Sequence, residues 1–351
     1  MFTRFIRQRL EEALGDTPAV VLHGARQSGK TTLVRMLIGR ESDERRYMTF
    51  DDMGVLAAAR IDPMGFVDAL PGQVILDEIQ RAPSLFPAIK MAIDRDRRPG
   101  RFLMTGSANV FSLPRLSESL AGRVEIVPLF PLTQGEIDDD RHDFIAWAFG
   151  DKAATDSGDG SPFDVWGRVF RGGFPEVVVR RTPARRRAWF DAYVTTILQR
   201  DVRDLSNIES LEALPRLLAL LATRLGGLLN IADLGSALSM PASTLKRYLA
   251  LLEATFLLHR LPAWTSNLGL RLIKSPKMYF TDVGLASHYL AGEPAQLETD
   301  PTRKGPLLEN LVFTELRAQA TWSSTPVRLF HYRTLAKQEV DFVLESSTGS
   351  L

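Results

Sequence analysis

Gly24-Ala25-Arg26-Gln27-Ser28-Gly29-Lys30-Thr31 reads G-x-x-x-x-G-K-[ST], and the rest of the chain is read outward from it. Ala19-Val20-Val21-Leu22-His23 before it is a short apolar run with the character of a buried strand. Thr32-Leu33-Val34-Arg35-Met36-Leu37 after it can open a helix. This is the context of a phosphate-binding loop. Glycines let the backbone wrap an anion with its N–H groups pointing inward. The helix that starts there adds its positive dipole end. The spacing makes Gly24, Ala25, Arg26, Gln27, Ser28, Gly29, Lys30, Thr31 and Thr32 the candidate nucleotide-binding residues. Lys30 would reach the β- and γ-phosphates of ATP, and the Thr31 hydroxyl would ligate Mg²⁺. The competing reading is a glycine-containing strand-to-helix turn with no ligand.

Tyr47-Met48-Thr49-Phe50 reads as a second strand. Gln73-Val74-Ile75-Leu76-Asp77-Glu78 is a run of mostly apolar residues ending in two carboxylates. A strand buried in a parallel sheet is continuously apolar, and this one is. It has the form of a Walker B strand. Its end would deliver Asp77 to the Mg²⁺ shell and Glu78 to the attacking water, which argues for hydrolysis rather than binding alone. Arg101–Thr105 is another buried-type strand, expected between the loop strand and the Asp77 strand. At its tip Ser107 is the candidate sensor of the γ-phosphate, simple turn chemistry being the alternative. Val124–Leu129 makes a fifth strand. Just before it, Arg123 is the candidate arginine finger for a neighbouring subunit's nucleotide, or an ordinary surface arginine.

Composition limits the alternatives. The chain has 351 residues, room for two or three domains, and 45% apolar residues, ordinary for a globular protein. A net charge of +1 gives no global field toward nucleic acid or an acidic partner, so any such contact needs a local patch. There are no cysteines, which removes disulfides, thiolate catalysis and cysteine zinc sites, and fits a reducing compartment. The five histidines show no metal-ligand spacing. No apolar run is long enough to span a bilayer, and residues 1–14 read as an amphipathic helix rather than a signal peptide. The expected location is the cytoplasm, with no membrane contact.

The blocks at 24–32, Leu76-Asp77-Glu78-Ile79-Gln80, Thr105-Gly106-Ser107, Leu120-Ala121-Gly122-Arg123 and Pro131-Leu132-Thr133-Gln134-Gly135-Glu136 together resemble the AAA-type ATPases of bacteria and archaea. Within these the sequence is similar to the STAND-like family whose C-terminal half is a domain of unknown function. The resemblance covers nearly the whole chain. It implies an ASCE-type P-loop fold with the loop strand central, ATP and Mg²⁺ as ligands, and no defined biological role. Gly173-Phe174-Pro175 resembles the Gly-x-Pro of the related signalling ATPases, which implies that Pro175 contacts the nucleotide base. A helix–helix turn built from Gly and Pro is the plainer reading.

The sequence divides into a P-loop domain over 1–150, a flexible linker over 151–162, a helical connector over 163–206, a winged helix-turn-helix over 207–265 and an incomplete C-terminal domain over 266–351. The fold class is α/β: a P-loop parallel sheet, then a helical segment, a winged-helix module and a partial α+β domain. Arg180, Arg181, Arg185, Arg186, Arg187, Arg200 and Arg203 are a candidate phosphate-backbone patch or a solvated helix face. Asn230–Leu238 and Ser243–Leu249 read as a helix-turn-helix, with Phe256–Ala263 as a wing strand. Ser243, Thr244, Lys246 and Arg247 would meet DNA, unless the module binds protein instead.

Toward the end, Glu309 on a helix and Asp341 on a strand resemble the first half of a PD-(D/E)xK nuclease core, whose carboxylates bind Mg²⁺. That core needs one more strand carrying Glu-x-Lys after a hairpin at Ser346–Ser350. The sequence stops at Leu351 without it. No nuclease activity is expected, and fold-stabilising roles for Glu309 and Asp341 are the alternative. The expected activity is ATP hydrolysis that rearranges the later modules, with DNA, a protein partner or a second copy of the chain as candidate partners. A DNA-binding switch with little turnover is the alternative reading, and an ATP-dependent nuclease lacking its last strand is another.

Overall fold

The structure, a computed structural model, describes residues 1–38, 45–107, 120, 122–150, 164–202, 212–290, 300–334, 336–347 and 349–351. The expected linker over 151–162, Ala121 and Arg203 lie outside the described residues. The chain forms two compact units, Arg4–Leu129 and Phe130–Leu351, the second also holding Met1–Thr3. The division falls ahead of the expected boundary at 150. The reason is packing: Ile145 is buried with Leu316 and Leu344 of the second unit, and the Gln134 N–H donates to Glu315 at 2.9 Å.

The first unit is a five-stranded parallel sheet in the order β2-β3-β4-β1-β5. Its strands are β1 (Ala19–His23), β2 (Arg46–Thr49), β3 (Val74–Asp77), β4 (Phe102–Gly106) and β5 (Val124–Pro128). β3 and β4 are buried along their whole length, which is why their sequences are continuously apolar up to the polar tip. The loop strand β1 lies between β4 and β5, and β4 separates it from β3. The insertion of β4 between the loop strand and β3 is as expected, but among the described residues β4, not the loop strand, takes the centre of the sheet, and β1 lies next to the edge strand β5. Helix α1 (Arg7–Asp16) packs on β1 and buries Leu10, Ala13 and Leu14. It starts at Arg7 rather than at Met1. Helix α2 (Lys30–Ile38) opens at the loop lysine. Helices α3 (Met53–Ile61) and α4 (Pro63–Asp68) are started by the Asp52 and Asp62 carboxylates, which accept backbone N–H groups of the first turns. Helix α5 (Leu85–Arg95) buries Leu85, Phe86, Ile89 and Ile93 in the core that holds β3 and β4. Each such side chain contributes roughly 1.5–3 kcal/mol by leaving water.

The second unit begins with helices at Gln134–Asp138, Phe144–Ala148, Val165–Arg171, Pro175–Val178 and Pro183–Thr196, the last running into a π-helical turn, Ile197–Val202. Helix Ala213–Ala222 follows, then a single β-bridge at Leu228, helices Ile231–Leu238 and Ala242–Ala254, and strand β6 (Leu258–Leu261). β6 pairs antiparallel with β7 (Lys277–Phe280), and Leu228 bridges to Lys277 from the other side. β7 therefore completes the sheet behind the two helices, although the sequence reading placed it in the C-terminal domain. A last group is helix Pro301–Gln319 with β8 (Arg328–Arg333), β9 (Glu339–Ser346) and β10 (Gly349–Ser350), a three-stranded sheet in the order β10-β9-β8. The hairpin expected at 346–350 is present, Gly349 pairing with Ser346.

β7 is tied at both ends. At its start the Lys277 ammonium, 1% exposed, meets Glu309 at 2.7 Å, Glu339 at 2.6 Å and Asp341 at 2.7 Å. Just past its end Asp282, also buried, accepts the Gly173 N–H at 2.6 Å and the Leu285 N–H at 2.9 Å. Burial pushes the Asp282 carboxyl up to about 6, against the backbone donors that favour its charge. Gly172 has φ +66° and a Cβ there would lie 2.3 Å from Asp282 Oδ1, so only glycine allows this approach.

Candidate nucleotide site

The loop from Gly24 to Gly29 joins β1 to α2 at the C-terminal end of the sheet, where ligands of such sheets bind. Gly24 is fixed by its surroundings. Its N–H donates to Gly106 O at 3.2 Å, and a Cβ would lie 2.0 Å from the Leu129 carbonyl oxygen. Gln27 and Gly29 adopt positive φ, 61° and 98°. Ala25 and Ser28 are buried, Arg26 is half-buried and Gln27 is exposed. The Arg4 guanidinium donates to the Ser28 carbonyl at 2.7 Å. The buried Ser28 hydroxyl has no hydrogen-bond partner among the described residues. Lys30 is buried, and its ammonium donates to Gly24 O and Ala25 O, both at 2.9 Å. Thr32 faces outward on the first turn of α2.

The Walker B reading of β3 fits this geometry. Thr31 Oγ1 donates to Asp77, lying 3.2 Å from Oδ1 and 3.1 Å from Oδ2. Two further hydroxyls point at the same carboxylate. Tyr47 OH donates to Oδ2 at 2.6 Å, and Thr105 Oγ1 donates to Oδ1. Burial raises the Tyr47 phenol above its ordinary value, and the bond to Asp77 raises it further.

This arrangement fits Mg²⁺. The Thr31 proton is directed at Asp77, which leaves the hydroxyl oxygen's lone pairs for an ion. Among the described residues no group of three or more His, Cys, Asp or Glu could hold a metal. Thr31 and Asp77 offer one hydroxyl and one carboxylate, which suits an ion carried largely by phosphates and water.

Glu78 sits one residue beyond β3 with φ 60° and ψ 44°, left-handed backbone that costs a non-glycine residue about 1 kcal/mol. The Glu78 N–H donates to Thr105 Oγ1 at 3.1 Å. Its carboxylate accepts from Ser107 Oγ at 3.0 Å and from the Gln80 amide, which also donates to Ser107 Oγ at 2.9 Å. Ser107 therefore touches the candidate base. Thr105 touches both carboxylate-bearing residues, yet the sequence reading took it only as part of a strand.

Arg123 donates from Nε and Nη2 to the Asp94 carboxylate on α5, at 2.7 and 3.0 Å. That pair holds the Asp94 carboxyl below its ordinary value. Pro175 opens the short helix Pro175–Val178 and belongs to the second unit. The structure thus brings Gly24–Thr32, Asp77, Glu78 and Ser107 into one unit. Tyr47 and Gln80 join them from positions that the sequence reading did not single out.

The fold and the loop are those of a P-loop NTPase. Residues 16–138 match a family described as "AAA domain". Residues 163–296 and 304–351 match two domains of unknown function, DUF8612 and DUF4143. The chain is 35% identical over 342 residues to the uncharacterized proteins Rv2008c of Mycobacterium tuberculosis and Mb2031c of Mycobacterium bovis, covering 97% of this chain and 70% of each relative. The chain belongs to the same family as those two uncharacterized mycobacterial proteins, and its residues 16–138 carry the AAA domain match. Among solved structures, the Walker-type ATPase PABY2304 of Pyrococcus abyssi superposes with TM-score 0.46 at 14% identity, over 82% of this chain and 95% of that one. The RuvB Holliday junction branch migration motor of Thermotoga maritima superposes with TM-score 0.33 at 20% identity, over 73% and 89%.

Proposed function

We propose that the protein is a cytoplasmic, Mg²⁺-dependent ATPase whose turnover changes the state of its second unit. The observation that carries this reading is the pairing of Thr31 with Asp77 while Glu78, next in the chain, turns toward Ser107. Lys30 swings from the Gly24 and Ala25 carbonyls to the β- and γ-phosphates, and the loop amides bind their oxygens. Mg²⁺ would be held by Thr31 with Asp77 behind it, and supplies charge neutralisation at the phosphates. Glu78 orients the attacking water and takes its proton, a role that Ser107 and Gln80 adjust through the carboxylate. Arg123 as a finger in a homo-oligomer and Pro175 as a base contact complete the proposal.

The test is steady-state ATP hydrolysis beside two variants. Lys30→Ala should lose nucleotide binding, and Glu78→Gln should bind ATP and not turn it over. Turnover retained in Glu78→Gln would remove Glu78 from its role.

A second reading is a nucleotide-gated DNA switch, supported by the run of helices and strands from Ala213 to Phe280, which has the order of a winged helix with β6 and β7 flanking the wing. Ser243, Lys246 and Arg247 at the start of helix Ala242–Ala254 are exposed, as are Arg181, Arg185 and Arg187. DNA binding that falls steeply with salt and responds to ATP would favour it. A protein partner for the same module would show neither effect. The nuclease reading gains no support from the family matches, and Glu309 and Asp341 are both ion-paired to Lys277.

A further inference from the structure

Three hydroxyls converge on Asp77, and they are not equivalent. Thr31 lies almost equally far from both carboxylate oxygens, at 3.2 and 3.1 Å, so one proton is shared and does not fix the rotation of the group. Thr105 is bound to Oδ1 and Tyr47 to Oδ2. Only the last two together set the carboxylate plane. Tyr47 reaches Asp77 because β2 and β3 are parallel neighbours with Tyr47 opposite Ile75 and Thr49 opposite Asp77. All four residues share parity and thus one face of the sheet. The Tyr47 ring spans the two-residue offset. Its other side is held by the Arg35 guanidinium, 4.6 Å from the ring centroid and one turn beyond Thr31 on α2.

We propose that Tyr47 is a positioning residue for the metal half of the nucleotide site. By holding Oδ2 it keeps Asp77 aimed at Thr31, so the carboxylate acts on the ion through that hydroxyl and bound water rather than turning away. The inference rests on the ATP reading and adds a residue outside both nucleotide motifs. Tyr47→Phe keeps the ring and its cation–π contact with Arg35 and removes the hydroxyl, with its bonds to Asp77 and to Arg35. Partners of this kind, one step behind a metal ligand, typically change metal affinity 10–100-fold when lost.

The experiment titrates Mg²⁺ into the full chain with a fluorescent, non-hydrolysable ATP analogue, and measures Mn²⁺ binding directly by electron paramagnetic resonance. The expected result is that Tyr47→Phe needs about tenfold more of either ion and binds the analogue normally in EDTA. Ion dependence identical to wild type overturns the proposal. So does an equal loss of analogue binding with and without ion, which would mean that Tyr47 only supports the fold. Both outcomes leave the ATP reading standing. A wild-type chain that binds no nucleotide overturns that reading and this inference with it. Thr105→Val, which removes the donor on Oδ1, should shift ion dependence in the same direction. Loss of ion affinity there but not in Tyr47→Phe would assign the positioning to Thr105 alone and refute the role of Tyr47.

Discussion

Replacing Lys277 by Met should destabilise the second unit by about 3 kcal/mol at neutral pH. The ammonium is almost fully buried and is ion-paired with three carboxylates at 2.6–2.7 Å. Removing one partner of a buried ion pair typically costs 3–5 kcal/mol, because the other is left buried and charged. The lower end applies here. Asp341 is 54% exposed and Glu339 30%, and both can turn to water, whereas Glu309 at 17% cannot.

The sign of the pH dependence follows from Glu309. Burial already pushes its carboxyl above the ordinary value, against the pull of Lys277 and Tyr279. Without the lysine it rises further. A folded-state value above the unfolded one favours the protonated fold, so stability is present at low pH and lost as pH rises through the folded value. The deficit of Lys277→Met should therefore be large at about pH 8 and shrink toward about pH 5 as Glu309 takes up a proton. The assay is urea unfolding followed by tryptophan fluorescence. All five tryptophans (147, 166, 189, 264 and 322) lie beyond residue 129, so the signal reports the second unit alone. The expected loss is about a hundredfold in the folded-to-unfolded ratio. A deficit under about 1 kcal/mol, or one equal at both pH values, would refute the reasoning.

Other outcomes follow from single contacts. Gly24→Ala should lose ATP binding, because its Cβ would sit 2.0 Å from the Leu129 oxygen and force the loop off its seat; calorimetric affinity equal to wild type would contradict this. Burial pushes the Glu315 carboxyl up to about 8 against the Gln134 N–H. Its share of the second unit's stability should be complete at low pH and fall away as pH rises from about 4.5 to about 8. Glu315→Gln should flatten that part of the denaturation profile, and an unchanged slope would count against the assignment. Arg123→Ala should keep its melting temperature, since exposed pairs such as that with Asp94 contribute little. If Arg123 serves a neighbouring subunit, mixing this variant with Glu78→Gln restores hydrolysis, and mixtures no more active than their parts exclude it.

The nucleotide unit was legible because its signals are local. Buried parallel strands are apolar up to their polar tips, and β3 and β4 are; the tight loop needs glycine at 24, where a Cβ would meet the Leu129 carbonyl. Tyr47 was not legible, because its role depends on the register of two strands separated by α3 and α4 in sequence. Thr105 offered a signal that went unused: a hydroxyl in a fully buried strand must find a partner, and it finds Asp77. The place of Ser107 at the strand tip is legible in the sequence; its contacts there are with Glu78 and Gln80. β7 has neighbours on both sides of the boundary drawn at 265: it pairs with β6, across the 262–276 connection, and its Lys277 meets Glu309, Glu339 and Asp341. Glu309 and Asp341 drew attention as carboxylates, but nothing local announced that Lys277 would lie between them.

The two anchored ends of β7 bear on how this chain can be rearranged by gene fusion or exchange. A break near residue 265, where the sequence invites one, would leave Leu258 and Leu261 without their partner strand and strip Asp282 from the Gly172–Gly173 turn. The part from Phe130 onward should therefore be transplanted whole. Within Arg4–Leu129, any replacement of the nucleotide unit must keep a backbone carbonyl where Leu129 meets Gly24.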